Sequence, residues 1–367
     1  MTVKRSAHIT IHPEALQHNL QCAKKAAPNS KVNAVIKANA YGHGAVATAG
    51  ILYPYTDGFA VSCINEAVEL RQANIDLPIT VLQGHQSSDD LRIAMQYGLR
   101  LTVHDERQLS LLDQFSHTHH FDLNIKIDTG MHRLGFHPDK TASIFQTLIK
   151  HPNVNPDSLV LMTHLACADD LDNNYTQQQL SLFDKACSGI NVAKSIANSA
   201  GILGWKDSHA DWIRPGIMLY GSSPFSSSHQ EHQEHHKLQA TMTLNAPVIA
   251  THQLKKGDHI GYGSTWQCPS DMSVAVIACG YADGYPRHAP SGTPVFLNSE
   301  EVELLGRVSM DMIIVNVSQR TEQPTQVGDI AELWGAHIAI DDIAKSAETI
   351  SYELLCNAGN NCQHGFI

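Results

Sequence analysis

The sequence predicts an α/β fold, a (β/α)8 barrel of the TIM type followed by a second, mostly β C-terminal domain. Three observations carry this. Residues 32 to about 225 repeat one unit: a short apolar run, a polar turn, then a helical pattern. Near Ser226 the composition turns polar and His-rich. Beyond it the apolar period becomes strand-like, punctuated by Gly and Asp.

The apolar runs are Val32–Ile36, Phe59–Val61, Ile79–Leu82, Leu101–Val103, Leu123–Ile127, Leu159–Thr163, Ala193–Ala197 and Ile217–Tyr220. Between them lie helical stretches such as Ile64–Arg71, where Ile64, Ala67 and Val68 recur at helical spacing. Strands alternating with helices in this way predict a parallel barrel. The segment Ser226–His236 reads as a solvated connector. His229, His232 and His236 have helical spacing, the alternative being a metal site, but the reading adopted assigns no metal. Strand candidates follow at Met242–Ala250, Val274–Ala278, Val302–Leu305, Ile313–Val317 and Ile330–Leu333, with a turn at Lys255–Asp258 and a short helix at Ser351–Leu355. The predicted division is residues 1–230 and 231–367. The first dozen residues are free to pair with either part.

Composition narrows the function classes. At 367 residues the chain exceeds one typical domain, and with 43% hydrophobic residues it can bury a large core. A net charge of −11 disfavours nucleic acid, whose binding rests on Lys and Arg neutralising phosphates. No apolar signal core follows the early basic residues, and no run of about 18 apolar residues suggests a membrane span. The eight cysteines are scattered without a Cys-x-x-Cys, so reduced thiols and a cytoplasmic location are expected.

The chemistry starts with Ala34-Val-Ile-Lys-Ala-Asn-Ala-Tyr-Gly-His-Gly44. An apolar strand delivers Lys37 to its C-terminal end, where barrel active sites lie. Partial desolvation there lowers a lysine's pKa and makes it a candidate Schiff-base nucleophile. A lysine extending its amine to solvent at a strand end is the alternative from physics alone. The full string resembles the cofactor-lysine motif of the pyridoxal-phosphate-dependent alanine racemases. The resemblance continues in order through Lys126–Gly135, Met162–Leu165, Ala197–Ser199, Ile213–Gly221, Gly261–Gly263, Gly280–Tyr285 and Gly306–Met312.

That resemblance implies a barrel plus a β domain, a homodimer with shared active sites, and interconversion of L- and D-alanine by two bases. It implies D-alanine supply for peptidoglycan, or alanine catabolism. Lys37 matches the residue that carries pyridoxal 5'-phosphate and serves one face of the substrate; Tyr262 matches the base of the other face. A tyrosine base needs neighbouring positive charge. Arg214 matches the residue facing the pyridine nitrogen, and His164 the one beneath the cofactor, directed toward Arg214. Tyr41, Ser199, Gly216, the Ile217 amide and Tyr352 match the phosphate site. Arg133 and the Met310 amide match the substrate-carboxylate site. Lys126 stands where many relatives carry a carbamylated lysine, an anion that would hold Arg133. Tyr281 and Asp311 match the lining of the access channel. The sequence departs from the family at its end: Asn361-Cys-Gln-His-Gly365 replaces a basic Arg-hydrophobic-Pro-Arg tail, which puts the C-terminal contacts in doubt, at the dimer edge. A broad-specificity or serine racemase would share this fold. A non-catalytic pyridoxal-phosphate carrier would share only the barrel.

Overall fold

The computed structural model describes residues 5–115, 119–225, 237–318 and 324–366. The His-rich connector with His229, His232 and His236, and with it the predicted boundary at 230, lies outside them. After a first strand, β1 (His8–Ile11), eight parallel strands close a barrel. They are β2 (Lys31–Val35), β3 (Gly58–Val61), β4 (Ile79–Val81), β5 (Arg100–Val103), β6 (Leu123–Lys126), β7 (Val160–Met162), β8 (Ala193–Ser195) and β9 (Trp212–Ile213). The pairs Lys31–Trp212 and Val32–Ile213 shut the ring.

The helices between strands bury one face each. In Pro13–Ala26, Leu16, Asn19, Leu20 and Ala23 point inward, and Pro13 begins the helix where its missing N–H costs nothing. Ser88–Tyr97 starts at a capping box of Ser87 and Asp90 and stops at Gly98, in the left-handed conformation. The predicted helix at Ile64–Arg71 runs Ile64–Gln72.

The eighth strand is not where the sequence placed it. Ile217–Tyr220 is a 3-10 turn, and the closing strand is the two-residue β9. Pro215 and Gly216 separate the two. All four residues of the turn are buried, and a buried apolar run reads alike as strand or helix.

The second domain is built on the long, bent β10 (Met242–Leu254). Two short strands, β11 (His259–Ile260) and β12 (Trp266–Gln267), form a separate hairpin. Then come β13 (Met272–Ile277), β14 (Pro294–Leu297), β15 (Glu300–Leu305), β16 (Ile313–Asn316), β17 (Ile330–Trp334) and β18 (Gln363–Phe366). The sheet order is β13-β16-β15-β14-β17-β10-β1-β18. Irregular register lets β10 pair with β17 through its first half and with β13 through its second, so the sheet curls back on itself. The N-terminal strand joins this sheet: β1 lies antiparallel to β10 and parallel to β18. The atypical tail therefore still forms an edge strand.

The predicted short helix at Ser351 runs to Asn361 and packs across the barrel mouth. Its Gly359 meets Gly42 so closely that a Cβ at Gly359 would stand 2.1 Å from the Gly42 carbonyl oxygen. A Cβ at Gly42 would stand 2.3 Å from the Leu355 carbonyl oxygen. Gly359→Ala must therefore push helix and barrel apart. A loss of about 1–3 kcal/mol is expected from such overpacking; an unchanged denaturant midpoint would show that the contact is slack.

Candidate active site

The carboxyl ends of the barrel strands gather cations. Lys37 follows β2, Lys126 ends β6, His164 follows β7 and Arg214 follows β9. Arg133 hangs over them from the loop after β6. Each interacts electrostatically with others of the group. Lys37, Lys126, Arg133 and His164 make no side-chain hydrogen bond or ion pair among the described residues. Asp128, the acid nearest Lys126 in effect, is committed to its own turn, accepting from the Gly130 and His132 amides and from the His132 ring.

Burial and like charge then act together. Burial first, then Arg214 and Arg133, holds the Lys126 amine well below the ordinary lysine range. Burial, then Lys126, Arg214 and Arg133, does the same to His164. Burial and Arg133 lower Lys37, with Glu66 opposing. Arg214 is brought down to about 10 by burial, so its guanidinium stays charged at neutral pH. It donates to Ser195 Oγ at 2.5 Å, Thr163 O at 2.6 Å and Ile196 O at 3.1 Å through Nη1 and Nη2.

Lys37 opens an unusual turn. Ala38, Asn39, Ala40 and Tyr41 have φ of 52°, 54°, 54° and 52°, and Gly42 follows at 83°. Four successive non-glycine residues thus wind left-handed, at roughly 1–2 kcal/mol each. Such strain persists only where the surroundings over-determine it. Here Glu66 accepts from the Ala38 amide at 2.7 Å, and Asn39 Oδ1 accepts from the Ala45 amide at 2.8 Å. The His43 ring lies 3.1 Å from the carbonyl oxygens of Ala40 and Tyr41, and its other nitrogen is 2.8 Å from Thr241 Oγ1. The turn stacks Tyr41 on Tyr220, ring centroids 4.4 Å apart, and brings it 5.9 Å from Tyr352. Glu66 and His43 were missed in the sequence; only the spelling Gly-His-Gly hinted at His43.

A second group of polar atoms converges beside Tyr41. Ser199 Oγ accepts from the Gly216 amide at 2.9 Å and the Met218 amide at 3.3 Å. A Cβ on Gly216 would lie 2.8 Å from Tyr41 Oη, so glycine keeps this cradle open. The Ile217 amide lies at its edge, in the 3-10 turn. Tyr41 and Tyr352 phenols have no hydrogen-bond partner among the described residues. Burial raises the Tyr41 phenol, and burial with Asp169 and Asp341 pushes Tyr352 up to about 12, so both are neutral donors. Two amides, a hydroxyl and two phenols suit a phosphate.

The other predicted site residues lie apart from this mouth within one chain. Tyr262 sits on the β11–β12 hairpin and is 69% exposed. The Arg307 guanidinium lies against its neighbour: a Cβ on Gly263 would be 3.2 Å from Nη1. Tyr281, Met310 and Asp311 sit together on two stitched loops, with Met310 53% exposed. None of these four makes a hydrogen bond or ring contact with the barrel-mouth groups among the described residues. No described helix is long and apolar enough to cross a membrane. No group of three metal-ligating side chains is found among the described residues.

Comparison with known proteins converges on one family. Residues 11–224 match the family "Alanine racemase, N-terminal domain", and residues 241–365 match "Alanine racemase, C-terminal domain". The chain is 44% identical over 354 residues to an alanine racemase of Halorhodospira halophila, covering 96% of both. It is 42% identical to one of Pseudomonas syringae, covering 96% of this chain and 97% of the other. Among solved structures, the biosynthetic alanine racemase of Pseudomonas aeruginosa superposes with a TM-score of 0.93 at 37% identity, over 99% of both chains. The alanine racemase of Bartonella henselae, described with covalently bound pyridoxal phosphate, superposes at 0.87 and 28% identity, over 99% of both.

The buried histidine of the turn generates a prediction. Burial drives the His43 imidazole from 6.5 down to about 3. Its folded pKa is below the unfolded one, so its contribution is fully present above pH 6.5 and is lost as pH falls toward 3. His43→Gln removes that titration. The fall in melting temperature between about pH 6.5 and 4.5 should be shallower in the variant than in the parent. Parallel profiles would show that His43 does not carry this acid sensitivity.

Proposed function

Because this chain belongs to the alanine racemase family, we propose that it interconverts L- and D-alanine with pyridoxal 5'-phosphate held at the barrel mouth. The observation that carries the reading is the set gathered at that mouth: Lys37, its pKa lowered by burial and Arg133, beside a cradle lined by neutral donors. The donor set fits the cofactor. Tyr41, Tyr352, Ser199 and the amides of Gly216 and Ile217 would hold its phosphate, and Lys37 would carry it covalently. Arg214 would face the pyridine nitrogen, and His164 would lie beneath the ring.

When bound, the cofactor supplies an electron sink that acidifies the substrate Cα–H. The chain's own residues then move the proton. Lys37, its pKa lowered by burial and Arg133, takes or returns it at Nζ on one face. Tyr262 Oη does so on the other. Arg133 and the Met310 amide bind the substrate carboxylate. Arg214 donates hydrogen bonds without surrendering a full proton, which limits the sink and restrains side reactions.

Lys126 completes the charge balance. Burial, Arg214 and Arg133 favour the neutral form of its amine, and the neutral form can add to carbon dioxide, forming an N–C bond and releasing one proton, to leave an anionic carbamate. That anion would hold Arg133 in place and relieve the repulsion among the cations. A density map at neutral pH with a bare ammonium at Lys126 would refute it.

Tyr262, Tyr281, Met310 and Asp311 project from the second domain, and Met312 and Tyr281 are exposed with them. Exposed large apolar side chains such as Tyr262, Tyr281, Met310 and Met312 suit an interaction surface. A two-fold homodimer would bring one chain's set over its partner's barrel mouth, in sites shared between subunits. The physiological role, D-alanine supply for peptidoglycan or alanine breakdown, rests on the family alone, as does a cytoplasmic location.

Three experiments test this. Borohydride reduction of the holoenzyme should fix the cofactor on Lys37 in peptide mass spectra; a label on another lysine would sink the assignment. A panel of L-amino acids, read by chiral chromatography, should give alanine as the preferred substrate over serine. Third, mixed dimers of Lys37→Ala and Tyr262→Phe collect both defects in one site and neither in the other. Random assortment should then restore roughly a quarter of wild-type activity. Purified mixed dimers no more active than their parents would overturn the shared site.

A further inference from the structure

The N-terminal segment ahead of β1 reaches the two loops that carry Tyr281 and Met310. The Arg5 guanidinium forks onto Asp283, pairing Nε with Oδ1 and Nη2 with Oδ2, the latter at 3.0 Å. The same Nη2 donates to Asp311 Oδ1 at 2.6 Å. Asp283 is buried, and its Oδ2 also accepts from the Gly280 amide at 2.9 Å, capping the turn Tyr281–Asp283. Among the described residues no other ion pair reaches that carboxylate. One guanidinium therefore neutralises two carboxylates that belong to different loops.

We infer that Arg5 is a positioning residue for the substrate-carboxylate side of the site, clamping the turn at Tyr281 to the loop at Met310. The link to the reaction is a peptide plane. The Tyr281 amide donates to Ser309 O at 3.1 Å, and the Ala282 amide to Met310 O at 2.9 Å. A trans peptide sets the N–H opposite its own carbonyl. Anchoring Ser309 O therefore aims the Met310 N–H the other way, away from the turn. Gly280 allows this approach, since a Cβ there would be 2.4 Å from both carbonyl oxygens. Arg5 holds the turn through Asp283 and the loop through Asp311, so it fixes both ends of the stitch. A lysine offers the charge without the planar fork and cannot reach both carboxylates in this geometry.

The inference rests on the proposed role of the Met310 amide in binding substrate carboxylate. It predicts a loss of binding more than of chemistry. In the holoenzyme, Arg5→Gln should raise KM for L- and D-alanine by about tenfold while kcat stays within about threefold. Arg5→Lys should recover part of the loss. Asp311→Asn should raise KM by a smaller factor, and the double variant Arg5→Gln/Asp311→Asn should be no worse than Arg5→Gln alone. Should Arg5→Gln not fold, the same non-additivity between Arg5→Lys and Asp311→Asn decides. An unaltered KM in a folded Arg5→Gln enzyme, a fall in kcat at constant KM, or additive effects would each overturn the clamp. A parent inactive on alanine would instead sink the reaction reading. The clamp would then be judged by the Kd of propionate as a carboxylate probe, with the same tenfold criterion.

Discussion

The left-handed turn from Ala38 to Tyr41 is the constraint on which the site depends. It converts the end of one barrel strand into a platform that aims two groups: Lys37 at its start and the Tyr41 phenol at its end. L-residues resist this winding, so the turn must be held from outside. Glu66 holds its first amide, Asn39 ties its middle to the next helix, and His43 gathers its last carbonyls. The packing of Gly42 on Gly359 adds a hold from the second domain. The domains are therefore not merely adjacent. The C-terminal helix braces the turn that follows Lys37 and places Tyr352 beside Tyr41 in the same contact.

Charge at the barrel mouth follows from that architecture. Lys37, Lys126, His164, Arg133 and Arg214 converge, and the carboxylates that oppose them among the described residues, Glu66 and Asp128, accept from backbone amides. Such a cationic mouth favours anions; on the proposed function these are a phosphate, a substrate carboxylate and a carbamate at Lys126. Burial first, then the same excess of positive charge, lowers the pKa of Lys37 and Lys126, which favours the neutral amine that can act as nucleophile or base. On that reading one arrangement of burial and like charge would serve binding and proton transfer together.

How much of this could be read from sequence depended on how local the signal was. The barrel was legible because its strands are short apolar runs at regular intervals. Lys37 and His164 were legible at the ends of such runs, whereas Lys126 and Arg214 were singled out by the family resemblance, Arg214 following a two-residue strand that the apolar runs did not reveal. Ile217–Tyr220 was misread as a strand because burial on all sides erases periodicity. The hairpin partner β14 and the exposed edge strand β18 escaped, the latter because Gln363-His-Gly-Phe366 has no alternation to detect. The supporting residues escaped for another reason. Ala38 finds Glu66 across 28 positions, His43 finds Thr241 across 198, and Arg5 finds Asp283 across 278. No local pattern announces such pairs.

The two halves of the molecule carry different kinds of order. The barrel mouth is rigid and cationic, fixed by strands and by a strained turn. The Tyr262 hairpin instead has a small core of its own, with Ile260, Cys268, Met272, Val274 and Leu305 packed beneath it. That core lets the hairpin keep its shape while its tyrosine stands in solvent. A side chain so exposed, with no contact to the barrel-mouth groups among the described residues, gains a defined environment only when another surface covers it. On the shared-site reading, assembly then does for Tyr262 what burial does for Lys37. The lysine is prepared by folding, the tyrosine by association, and catalysis would begin only once both have happened.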